Sequence, residues 1–166
     1  MLELIEKAPC GSKVDDTLTL PYDLRQKTRQ RVLLDSGREA AVILPPGTTL
    51  DDGDRLRAAD GTVVGVSAAT ETVTTARTDD PVRVARACYH LGNRHVALQV
   101  GAGWVRYQPD HVLDEMVRGL GLAVVHEIAP FAPERGAYHG HARPHSHGHA
   151  DEAPPTAHSR AHGHQH

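Results

Sequence analysis

The length, composition and charge of the chain set the first limits on what it is. The 166 residues suffice for one ordinary domain or two small ones. The net charge of -3 does not indicate a nucleic-acid or membrane-surface partner, and aromatics make up only 4% of the chain, too few for a base-stacking surface. There is no apolar run of ~18 residues, no signal-peptide core and no CxxC pair of cysteines, so we expect a cytoplasmic protein in a reducing compartment.

The first part of the chain, residues 1–70, is predicted to be an all-β domain. Residues 30–35 form a candidate strand, and residues 39–44 run back after a Ser-Gly-Arg turn. A second hairpin is predicted from residues 55–58 and 62–67, because the Asp-Gly pair between them supplies the positive φ of a tight turn.

The second part, residues 71–138, is predicted to alternate strands and helices in the order βαββαβ. Asp80 followed by Pro81 is typical of a helix start, and Gly92 and Gly121 suit the position that follows a helix. The predicted elements are a strand at 71–77, a helix at 81–91, strands at 95–100 and 104–107, a helix that Pro109 opens and a strand at 122–128. This order is that of a ferredoxin-like domain. The predicted fold class is therefore α+β, an all-β domain followed by a ferredoxin-like one.

The last part, residues 139–166, is predicted to be a disordered tail, because it has too little apolar content to offset chain entropy. Repeated His-x-His places imidazoles on a flexible backbone that can wrap a metal ion. Imidazole binds nickel, copper and zinc alike, so the metal itself stays open. A purification tag is disfavoured, since Gly, Ser, Ala, Pro and Asp interrupt the run. The candidate tail ligands are His139, His141, His145, His147, His149, His158, His162, His164 and His166.

Three motifs resemble the UreE family of urease accessory proteins: YHLGNRHV at 89–96, RYQPDHVLDEM at 106–116 and APFAPERGAY at 129–138. The resemblance extends over nearly the whole chain. It implies a β domain similar to a chaperone peptide-binding module, and a ferredoxin-like metal domain that joins a homodimer. It further implies delivery of Ni²⁺ to apo-urease with the accessory GTPase UreG, and no enzymatic activity of its own.

The resemblance also identifies the candidate ligands outside the tail. His95 matches the metal-binding histidine of the family's Gly-Asn-Arg-His motif, and a two-fold axis beside it would bring two imidazoles together. Tail histidines, tethered at high effective concentration, are expected to complete the site. His111 matches a second family histidine, but Pro109 stands where some members carry its partner, so its role as a ligand stays open. His90 and His126 are predicted to be structural.

Two other functions remain as alternatives. A histidine-rich store or buffer for nickel, zinc or copper would need only the tail. A metallohydrolase would use His95 with Asp110 or Asp114, although those carboxylates, with Glu115, are predicted to form an exposed acidic helix start. The two cysteines, Cys10 and Cys88, are predicted to be chemically inert, and Cys88 is predicted to lie within the core.

Overall fold

A computed structural model describes residues 1–135 of the chain, so the tail histidines and the predicted disorder of residues 139–166 lie outside the described residues. Among the described residues, no helix is both long and apolar enough to cross a membrane. The elements in chain order are β1 (Leu2–Lys7), β2 (Asp16–Leu20), α1 (Tyr22–Arg25), β3 (Arg29–Leu33), β4 (Glu39–Ile43), β5 (Arg55–Ala58), β6 (Val63–Ala68), β7 (Thr70–Arg77), α2 (Pro81–Gly92), β8 (Gln99–Gly101), β9 (Trp104–Tyr107), α3 (His111–Gly119) and β10 (Ala123–Pro130).

The N-terminal sheet is barrel-like, with six strands in the order β2-β6-β5-β1-β4-β3. Both predicted hairpins are confirmed: β3 pairs antiparallel with β4, and β5 with β6. Gly37 and Gly61 have φ of +86° and +89° in their turns, a conformation that glycine adopts without steric cost. Two pairings are parallel, β1 with β4 and β2 with β6. Leucines and valines fill the interior, among them Leu4, Leu18 and Val64.

The second sheet has the order β10-β7-β9-β8, with every neighbouring pair antiparallel. Together with α2 and α3 this gives the predicted βαββαβ arrangement, so the α+β fold class is confirmed. Ala87 and Leu91 of α2 and Val117 of α3 pack with Val105 and Tyr107 of β9 in one core. This core fixes the helices on one face of the sheet.

The helix starts follow from local sequence. The Asp80 side chain accepts a hydrogen bond from Val82 N–H at 2.9 Å, and Pro81 is the first helical residue, as predicted. Pro109 was predicted to open the second helix, and this was wrong. The helix begins at His111, because Asp110 is its N-cap residue. Pro109 therefore precedes the cap and lies outside the helix.

A buried arginine forms a clamp between α1 and the segment that follows β10. Arg25 is 1% exposed, and its guanidinium donates to Leu20 O at 3.2 Å, to Leu50 O at 3.3 Å and to Phe131 O. The Phe131 ring also packs edge-on against Tyr22, with centroids 5.1 Å apart. Burial of a charge is costly unless its donors are satisfied, and here three carbonyls satisfy it. The segment after β10 is thereby fixed to the N-terminal sheet.

Candidate metal centre

His95 lies in the loop after α2 and is exposed. It was predicted to start a strand, but β8 begins only at Gln99. Its φ is +56°, and among residues 1–135 it is the one non-glycine residue with positive φ. The left-handed region costs an L-residue about 1–2 kcal/mol, although histidine is found there more often than most side chains. Backbone strain of this kind concentrates at functional sites.

The strain at His95 has a local cause in how α2 ends. The N–H of His95 donates to Gly92 O at 2.9 Å, and the N–H of Val96 donates to Leu91 O at 3.3 Å. These two bonds define a Schellman motif, in which the residue that takes positive φ is His95. Gly92 was predicted for that position, but it is the last helical residue instead. Leu91 is buried and Val96 packs on the same core, which fixes where the chain turns.

The end of α2 is electrostatically suited to a cation. The last carbonyls of a helix carry the negative end of its dipole, and the field acts mainly within the last turn. His90 lies in that turn, and its ring contacts Tyr89 edge-on at 5.3 Å. Tyr89 is 66% exposed. Within residues 1–135 no three His, Cys, Asp or Glu side chains come together as a metal site. Within this described part of the chain, His95 is therefore a single imidazole without two further ligands grouped beside it.

His111 lies at the opposite kind of helix terminus. It is exposed and is the first residue of α3, where the positive end of the dipole disfavours a bound cation. The neighbouring Asp110 carboxylate is already used, since it accepts from Val112 N–H at 2.8 Å and from Leu113 N–H at 3.1 Å. His111 as a ligand stays a prediction.

Asp114 was predicted to be exposed, and this was wrong. Its side chain is buried and accepts hydrogen bonds from Tyr107 Oη at 2.9 Å and from His126 Nε2 at 2.6 Å. Burial alone would raise the pKa of Asp114, but the bonds from His126 and Tyr107 outweigh it and hold that pKa below its ordinary value. Burial and the Asp114 carboxylate raise the pKa of Tyr107. This network argues against Asp114 as a metallohydrolase ligand, and it gives His126 the structural role that was predicted.

The sequence carried a signal for this network that the prediction missed. Leu113 and Val117 are buried apolar positions of α3, and Asp114 precedes Val117 by three residues, a spacing that places both on the same side of a helix. The two cysteines are free. Cys10 is exposed, and Cys88 is half-buried against the second core, where burial raises the pKa of its thiol. A raised thiol pKa disfavours the reactive thiolate at neutral pH.

Comparison with known proteins covers both parts of the chain. The N-terminal domain model of the UreE urease accessory protein matches residues 2–69, and the C-terminal domain model matches residues 71–166. The chain belongs to the UreE family of urease accessory proteins. Its motif histidine, His95, thus lies at the end of a helix within the family's C-terminal domain.

Individual relatives agree over nearly their whole length. The urease accessory protein UreE of Alkalilimnicola ehrlichii is 61% identical over 140 residues, which cover 84% of this chain and 86% of that protein. The UreE of Teredinibacter turnerae is 51% identical over 84% of this chain and 92% of that protein. That of Citrobacter koseri is 49% identical over 90% and 99%. The chain therefore has an accessory role in the urease system.

Proposed function

We propose that this protein binds Ni²⁺ and delivers it for assembly of the urease active site. The observation that carries the proposal is His95: an exposed imidazole, held in a strained conformation at a helix C-terminus, in a chain of a urease accessory family. A metal in transit needs a site that is specific but exchangeable, and one imidazole from the described part of each chain, completed by tail histidines, suits that requirement. Zn²⁺ or Cu²⁺ would compete for the same nitrogen ligand.

The proposed site is shared by a homodimer that forms through the ferredoxin-like domain. In an isologous interface each residue near the two-fold axis meets its own copy, so His95 would contribute one imidazole from each chain. Tyr89 and Val100 flank His95 in sequence and are 66% and 41% exposed. They supply apolar surface that such an interface would bury.

The remaining ligands are proposed to come from the tail histidines, from His139 to His166. Their number would also give a second, weaker class of bound ions. Transfer would proceed by ligand exchange, with the ion passing from imidazole to imidazole and no covalent bond made to the protein. We propose the accessory GTPase UreG and the apo-urease assembly complex as recipients, and we propose no catalytic role for this chain.

The test compares His95→Ala with truncation after Tyr138. We expect His95→Ala to lose the tightest class of nickel sites in a calorimetric titration and to fail in urease activation, with the weaker class retained. The truncated chain should remain a dimer by light scattering, bind fewer ions and activate urease in part when nickel is ample. Titrations with Zn²⁺ and Cu²⁺ rank the three metals.

His90→Ala is the matched control, because His90 is also exposed and lies five residues away on the last turn of α2. It should bind nickel and activate urease like the natural chain. Normal activation by His95→Ala together with failure of the truncated chain would contradict delivery through His95. The histidine-rich store would then describe the protein better.

A further inference from the structure

We propose that the open edge of β3 is a docking site for an extended acidic segment of a partner protein. The name "basic edge" is used below for residues Arg29–Leu33 of that strand. β3 ends the strand order of the N-terminal sheet, and among the described residues it pairs only with β4. The proposal concerns protein docking and is independent of nickel binding at His95.

The register of the β3–β4 hairpin determines which backbone groups face outward. Leu44 N–H donates to Thr28 O at 2.8 Å, and Leu34 N–H donates to Arg38 O at 2.9 Å. Hydrogen-bonded pairs alternate along an antiparallel ladder, so every second residue between these bonds turns its N–H and C=O away from β4. An edge with such free groups is a template for one more strand. Three residues of the basic edge face outward in this way: Arg29, Arg31 and Leu33.

The side chains of the same three residues are exposed. Val32 and Leu34, between and after them, pack toward the core instead. Arg29 and Arg31 are two residues apart, which corresponds to about 6.6–6.8 Å along a strand. Arg29 and Arg31 make no ion pair within the part of the chain that the structure describes, and the same holds for exposed Lys27 just before the strand. Leu33 is 62% exposed.

An open cavity of about 220 Å³ adjoins the basic edge. It has room for an apolar side chain next to Leu33. Its lining residues are Met1, Arg31, Val32, Leu33, Glu39 and Ala40. The ligand that fits these features is an extended segment with acidic residues at alternate positions, opposite the two arginines, and an apolar residue at the cavity.

Two features favour a protein segment over another anion. The outward N–H and C=O groups need donors and acceptors at strand spacing, which a second peptide backbone supplies and a phosphate chain does not. Cross-strand pairs of opposite charge then select acidic side chains at the positions directly opposite Arg29 and Arg31. Charges on an edge strand can also serve to prevent pairing, and the experiment separates that role from docking.

The probe is a set of fluorescein-labelled hexapeptides in which Glu alternates with Thr and one end carries Leu. Binding to the full chain is measured by fluorescence anisotropy, and amide exchange is measured on the complex. We expect new protection at Arg29, Arg31 and Leu33, and weaker binding in higher salt. Arg31→Glu should weaken binding roughly tenfold, because an attractive cross-strand pair becomes repulsive. Arg86→Glu, the same charge change at an exposed position of α2, should leave affinity unchanged.

A backbone variant tests the strand pairing itself. Proline is tolerated on an edge strand at a position where its missing N–H would face outward, so Arg31→Pro should keep the β3–β4 ladder. It should nevertheless bind the hexapeptides more weakly than Arg31→Ala, because it cannot donate a backbone hydrogen bond to them. Circular dichroism checks that both variants fold. The proposal is overturned if no acidic hexapeptide binds, if the Lys-substituted hexapeptide binds equally well, or if a single-stranded oligonucleotide protects the edge where the hexapeptides do not.

Discussion

Replacement of His95 by glycine should stabilise the fold while it removes the proposed metal ligand. The φ of +56° costs an L-residue about 1–2 kcal/mol relative to glycine. Glycine loses about 0.5–1 kcal/mol more conformational freedom on folding. The difference leaves His95→Gly more stable than the natural chain by about 0–1.5 kcal/mol, roughly 0.75 kcal/mol at the midpoints. His95→Ala keeps the strained φ, so its free energy of unfolding should match that of the natural chain.

Urea denaturation in chelator-treated buffer, followed by circular dichroism at one protein concentration, measures this order. Added nickel should reverse this order of stabilities, so that the natural chain becomes more stable than His95→Gly. A ligand at 100 times its Kd stabilises the folded state that binds it by about 2.7 kcal/mol, and under the proposed function only the natural chain would retain the tight nickel site. Gly121→Ala is the converse control, because Gly121 holds the equivalent position after α3 with φ of +87°. An added Cβ would also lie 2.9 Å from the Arg83 guanidinium, so the variant should lose about 1–2 kcal/mol or more.

Two results would refute this argument. If His95→Gly is less stable than the natural chain without metal, the His95 side chain makes a stabilising contact and its conformation is not a strain. If nickel stabilises His95→Gly as much as the natural chain, the tight site does not use His95.

Three further predictions concern buried charge and protonation. Asp114→Asn should cost about 1–3 kcal/mol at pH 7 in urea denaturation, because hydrogen bonds to a buried carboxylate are weakened. Because the pKa of Asp114 is lowered in the folded state, its carboxylate stabilises the fold above the ordinary aspartate pKa of about 3.9, and that stabilisation is lost as the pH falls below this value. If the natural chain and Asp114→Asn lose equal free energy of unfolding between pH 5 and pH 3, the lowered pKa is contradicted. Arg25→Met should cost about 3 kcal/mol or more, because three buried carbonyls lose their donor, and a thermal midpoint unchanged by the substitution would contradict the clamp. Nickel affinity should fall between about pH 7 and pH 5, because protons compete with the metal for imidazole nitrogens, and an isotherm unchanged at pH 5 would indicate carboxylate ligands.

The parts of the fold that follow from local sequence were predicted well. The spacing of apolar residues in α2 and α3, the alternation in β7 and the Asp80-Pro81 start are patterns that short stretches of chain determine. The parallel pairings of β1 with β4 and of β2 with β6 were not predicted, because their partners lie 38 and 48 residues apart in sequence and only the folded sheet brings them together.

The sequence motif led to His95 as the candidate ligand, which stays a prediction, and the conformation of His95 was not predicted. Both Gly92 and His95 could have taken the positive-φ position that follows the helix, and glycine is the residue that conformational propensity favours there. Which residue takes positive φ depends on the packing of Leu91 and Val96 in the second core, and this packing involves residues distant in sequence. The Asp114 error has the same origin, because the partners of that carboxylate come from two different strands.

The clamp at Arg25 has a consequence for how this protein can be divided. The guanidinium comes from the segment that the N-terminal family model matches, while Phe131, one of its three acceptors, lies in the segment that the C-terminal model matches. Either segment expressed alone would leave part of this network exposed or unsatisfied. We therefore expect a chimera of halves from two relatives to fold as stably as its parents only where the joined halves reproduce this buried contact.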